Sequence, residues 1–129
     1  MISYGFTKKV SASYERILEI LPEHLKKEGF GILTQIDVKE TLKKKLDVDF
    51  NKYVILGACN PPLAYQALQN EDNIGLLLPC NVIVFEKDGD TYVSFIKPTS
   101  SIGKIDNPAL KEIAIDVEAR LKKIFDTLV

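Results

Sequence analysis

The chain has 129 residues, with 17 basic and 18 acidic side chains and a formal net charge of −1. That length suits one domain, and that balance excludes a strong field drawing it to nucleic acid or anionic lipid. Hydrophobic residues make up 46% and charged residues 27%, an ordinary globular composition that builds a core without disulfides or a structural metal.

No basic region followed by an apolar stretch opens "MISYGFTKKV", and apolar runs such as "GLLLP" and "NVIVF" are too short to span a bilayer. With two cysteines and no export signal in view, the expectation is a cytoplasmic protein whose thiols stay reduced.

Residues 2–10 alternate, Ile2, Tyr4 and Phe6 against Ser3, Gly5 and Thr7, which predicts a half-buried strand. Ser11 or Ser13 caps the next helix, whose apolar face is Tyr14, Ile17, Leu18, Leu21 and Leu25. Pro22 predicts a kink or a re-started turn within it, and Gly29 its end. "GILTQIDV" reads as a second strand, and Asp37 with Glu40 as a capping box for a short helix with Val38, Leu42 and Leu46 inward.

"KYVILGA" is a third strand. Asn60 then caps a helix with Pro61 at its first position, burying Leu63, Ala64, Ala67 and Leu68. "NVIVFEKDGDTYVSFI" is a hairpin turning on Asp88-Gly89. Its "VIVF" is apolar on both faces, as in a central strand covered on each side. "KPTSSIGKIDNP" reads as a loop long enough to serve binding. From Asn107-Pro108 a long helix repeats apolar residues at three and four up to Leu128. The order β-α-β-(short α)-β-(short α)-β-β-α predicts an α+β domain, an antiparallel sheet with helices on one face.

"ACNPP" and "LPCNV" hold the two cysteines, each followed by asparagine. Cys59 precedes a helix N-terminus, where free N–H groups favour a thiolate; paired with Cys80 it would make a redox couple or a soft-metal site. The plainer alternative is that both are small buried hydrophobes. Two thiols and the lone His24 fall short of a closed zinc site, and His24 lies on the polar side of its helix with no local partner. The N–H groups beyond Asn60 make a poor phosphate cradle, since Pro61 and Pro62 lack donors and Asn60 competes for the rest. Tyr65 and Gln66 carry polar tips suited to a cleft, and Gly75 suits a turn or close approach. Lys43-Lys44-Lys45 reads as a solvated helix face, and no carboxylate pair stands out as an acid–base dyad.

The stretch "LGACNPPLAYQALQNEDNIGLLLPCNVIVFE", with "ACNPPLAYQAL" followed by "GLLLPCNV", resembles the domain-of-unknown-function 302 family of small bacterial and archaeal proteins. The matching positions are Gly57, Cys59, Asn60, Pro61, Tyr65, Gln66, Pro79, Cys80 and Asn81. The resemblance implies a β-α-β(4)-α domain related to the TATA-binding-protein architecture, with a curved antiparallel sheet. It implies a homodimer and no established reaction, it leaves any cofactor unknown, and the net charge speaks against DNA binding. Three readings follow: a small-ligand site lined by Cys59, Asn60, Tyr65, Gln66, Cys80 and Asn81; thiol chemistry at Cys59 and Cys80; or a structural corner with a dimer surface.

Overall fold

The computed structural model describes residues 2–129. Five strands form one antiparallel sheet in the order β1-β5-β4-β3-β2. They are β1 (Gly5–Val10), β2 (Gly31–Asp37), β3 (Tyr53–Cys59), β4 (Cys80–Lys87) and β5 (Asp90–Ile96). Four helices punctuate them: α1 (Tyr14–Lys26), α2 (Val38–Leu46), α3 (Pro61–Asn70) and α4 (Pro108–Thr127). This is the expected α+β element order.

The helix starts follow from local chemistry. Ser13 Oγ accepts from the Arg16 amide, Asp37 Oδ1 from Glu40, and Asn60 Oδ1 from Leu63. Asn107 Oδ1 accepts from both Ala109 and Leu110. Each cap satisfies amides that have no partner inside their helix. Gly29 ends the first helical segment at φ +83°, a conformation costly for any residue with a Cβ. α1 nonetheless runs unbroken to Lys26 across Pro22. Its fully buried Ile17, Leu21 and Leu25 flank the proline and hold the helix despite the lost bond.

Strand register sorts the sheet into two faces. Val54, Leu56, Val82, Val84, Val93 and Phe95 point to one side and are at most 2% exposed. Across from them pack Ile17 and Leu21 of α1 and Leu110, Ala114 and Leu121 of α4, none of them exposed. The alternate residues, among them Ile55, Ile83, Phe85 and Tyr92, lie on the opposite face and stay partly open to solvent.

Several expectations change here. β4 is central and apolar on both sides, but helices of this chain cover only one side. β1 begins at Gly5, which leaves Tyr4 59% exposed. α2 buries none of its residues, and Leu46, expected inward, is 65% exposed. It sits at the sheet edge, beyond α1 and α4, so its cap and good helix formers sustain it rather than burial. The segment after β5 is two short 3₁₀ turns, not an open loop, and it inserts Ile102 into the core. Thr99 fastens this segment to α4, donating from its amide and its hydroxyl to Glu118 Oε1 at 3.1 and 2.6 Å.

Candidate functional site

The signature segments meet where β3 and β4 end against α3 and α4. Ala58 pairs with Cys80 across the two strands, which makes Cys59 and Cys80 diagonal neighbours. Both line a small hollow walled by Phe30, Leu63, Leu78 and Ile113. Its free space is about 20 Å³, close to what one water needs.

Burial acts on both thiols in it. Burial pushes the Cys59 thiol above its ordinary value, against the expected helix-terminus thiolate. Desolvation outweighs the few free N–H groups at the start of α3, because Asn60 takes the Leu63 amide and two prolines supply none. Cys80 is 8% exposed, and burial together with the charge Cys59 would carry raises it to about 11. At neutral pH both are protonated, weakly polar side chains.

Asn60 is structural on both ends of its amide. While Oδ1 caps α3, Nδ2 donates to the Glu28 carbonyl at 3.1 Å, tying α3 to the end of α1. Asn81, one residue past Cys80, points the other way and is exposed. Tyr65 and Gln66 lie on the outer side of α3. Tyr65 is 64% exposed, and Gln66 borders a surface groove with Asn70, Glu112 and Asp116. The six residues read together from the sequence therefore divide: Cys59, Asn60 and Cys80 share the hollow, Asn81 faces the groove beside it, and Tyr65 and Gln66 stand apart.

What sequence reading missed is that groove. A concavity of about 290 Å³ runs beside the hollow, lined by Leu76, Leu77, Leu78, Pro79, Asn81 and Ser101, among others. A further depression of about 140 Å³ continues from Asn81 and Ile96 onto the open sheet face. Leu76 is 86% exposed. The available signal was "GLLLP": three consecutive leucines at the end of a short 3₁₀ turn cannot all reach one core. A cis peptide joins Leu78 to Pro79 within the wall. Gly75 has no neighbour within 4 Å of a built Cβ, so close approach is not its role. Gly57 has that role instead: a Cβ there would lie 2.1 Å from Thr34 Oγ1 and 2.6 Å from Pro79 Cγ.

A second concavity of about 400 Å³ lies beside α2, near Lys39, Lys43 and Lys44. Its ammonium groups are engaged: Lys39 donates to the Phe50 carbonyl, Lys43 pairs with Asp47 and Asp49, and Lys44 with Glu40. That leaves little positive potential for an anion. His24 Nδ1 lies 2.8 Å from Thr127 Oγ1, a contact between the ends of α1 and α4. Among the described residues no group of three or more His, Cys, Asp or Glu side chains is placed to hold a metal, and no helix is long and apolar enough to cross a membrane.

Residues 6–128 match the family model described as "Domain of unknown function DUF302". The chain belongs to this family. It is similar to the crystal structure of an uncharacterized conserved DUF302 protein from Bacillus stearothermophilus, at 40% sequence identity and a TM-score of 0.91. The alignment covers 99% of this chain and 100% of that one. No curated protein matches the chain. The DUF302 assignment thus extends from β1 to the end of α4, well beyond the signature stretch, and it carries no reaction with it.

Proposed function

We propose that this chain is a binding module that holds a small molecule in the trough around Leu78–Asn81. The observation that carries this reading is the convergence of three adjoining hollows on one short segment: Pro79 and Cys80 wall the first two, and Asn81 and Ile96 the second and third. The lining is apolar, with Asn81 and Ser101 as the polar groups that would orient a guest. The first hollow is too small for a guest of its own, so the ligand lies mainly in the 290 Å³ groove.

A thermal-shift screen of metabolites and metal ions tests this. The expected outcome is a compound class that raises the melting temperature of the wild type but not of Leu77→Arg, which fills the groove with a charged side chain. If every class leaves the wild type unmoved, the reading is lost.

Thiol chemistry at Cys59 and Cys80 is the second reading, and the shared hollow is what favours it. Because both thiols are raised by burial, iodoacetamide near neutral pH is expected to label Cys59 slowly and Cys80 more slowly still. Fast labelling of Cys59 would reverse the preference between the two readings.

A further inference from the structure

We infer that the trough takes an uncharged, elongated guest, with an amide- or ester-type carbonyl between two apolar arms. This rests on the binding reading above and adds the chemistry of the ligand.

The lack of charge in the walls carries the inference. Charged residues make up 27% of the chain, and they line the other concavities: Lys39, Glu40 and Asp49 beside α2, and Glu112 and Asp116 where α3 meets α4. Among the described residues that line the groove or the depression beyond it, none is Asp, Glu, Lys, Arg or His. Lys97 lies in the chain between two lining residues, Ile96 and Pro98, yet its ammonium sits over the Phe6 ring at 4.9 Å. Cys80 adds no charge, because burial and the neighbouring Cys59 raise its thiol to about 11. An ion entering this trough would shed water with no opposite charge in the walls to offset the loss.

The shape sets the length. The two hollows, of about 290 and 140 Å³, share Asn81 and Ile96. Together they reach the roughly 300–1,000 Å³ of small-molecule pockets, and neither does so alone. Leu76 and Leu77 flank one end and Ile2 and Tyr4 the other, all of them exposed. Gly5 admits Ile2 there: a Cβ built on it would lie 3.0 Å from Ile2 Cδ1. Exposed apolar side chains at both ends of a charge-free trough suit a guest with an apolar arm in each.

The polar atoms set where the carbonyl lies. Ser94 and Ser101 have their hydroxyls bonded within the chain, to Thr7 Oγ1 at 2.7 Å and to the Pro98 carbonyl at 3.5 Å. Asn81 is the polar residue common to both linings, and it is exposed where they join. Its carboxamide offers donors to a guest carbonyl placed midway.

N-butylhexanamide is the probe, compared near neutral pH with N-butylhexylamine, the same chain with the carbonyl replaced by methylene and the nitrogen protonated. Two-dimensional NMR of the full chain follows both titrations. The amide is expected to shift the resonances of Leu77 and Ile83, one from each hollow, and to bind at least about 10-fold more tightly than the ammonium. Asn81→Ala is expected to weaken the amide roughly 10-fold with the fold unchanged. An ammonium that binds as tightly as the amide overturns the inference and leaves the binding reading standing. So does an amide that shifts Leu77 but not Ile83, or an Asn81→Ala variant that binds it as tightly as the wild type. An amide that shifts neither residue also overturns the inference, and the thermal-shift screen then decides the binding reading separately.

Discussion

The two faces of this sheet share strands, yet they have opposite fates. Beneath α1 and α4, Phe95, Val82 and Val93 are sealed from water. One residue along the same strands, Ile83, Phe85 and Tyr92 remain half open. Alternation along a strand records only that neighbouring residues point apart. Along β4 both rows are apolar, and the helices seal one of them. The difference teaches that apolar character along a strand does not say which of its faces is covered, and only the packing does.

The largest test of that contrast is truncation on each face. Phe95→Ala is expected to cost about 3–5 kcal/mol in urea unfolding, because its ring is fully enclosed and packs edge-on to Phe125 at 5.6 Å. Tyr92→Ala is expected to cost about 1 kcal/mol. Equal losses would mean that the open face is as much a core as the covered one.

Next comes the clasp at the end of the sheet. Gly57→Ala forces a methyl against Thr34 and Pro79, and about 1–3 kcal/mol of destabilisation is expected. Adding Thr34→Ala removes the closest atom, and the double variant is expected to recover part of the loss. No recovery would place the strain at Pro79, the next contact of the built Cβ.

The two asparagines that follow the cysteines separate buried from open positions at smaller scale. Asn60→Ala is expected to cost about 1–2 kcal/mol, since it strips a cap and leaves the Glu28 carbonyl without its donor. Asn81→Ala, at an exposed position, should stay within about 0.5 kcal/mol.

The smallest effect is in pH. Burial, reinforced by Asp37, Glu15 and Glu86, pushes the Tyr14 phenol up to about 12 from an ordinary value of 10.0. The unfolded chain releases that proton first, so the folded state binds more protons across this window and stability falls as pH rises through it. Below pH 10 the contribution is fully present. Tyr14→Phe, which cannot ionise, is expected to flatten that part of the stability profile. An unchanged profile would separate Tyr14 from the alkaline loss.

Much of the fold was legible because it is written in short-range chemistry. The Asp88-Gly89 turn, the caps at Asn60 and Asn107, and the period of α4 each depend on a few neighbouring residues. The site was legible only in part. "ACNPP" and "LPCNV" announced a strand–helix corner, and Cys59 and Cys80 do share a hollow there. That Tyr65 and Gln66 turn away, and that Leu76 and Leu77 border the groove instead, depends on how α3 rotates against α4. No local pattern encodes that rotation.

By itself, then, the sequence determined the element order, the helix boundaries and the two-sided apolar character of β4, since backbone hydrogen bonding and side-chain periodicity act over one or two turns. Only the tertiary structure decided which face of the sheet the helices would cover and that α2 would bury nothing. It also decided that desolvation would raise the Cys59 thiol rather than let the helix terminus lower it. Those outcomes depend on distances between residues far apart in the chain, where burial and packing outweigh local preference.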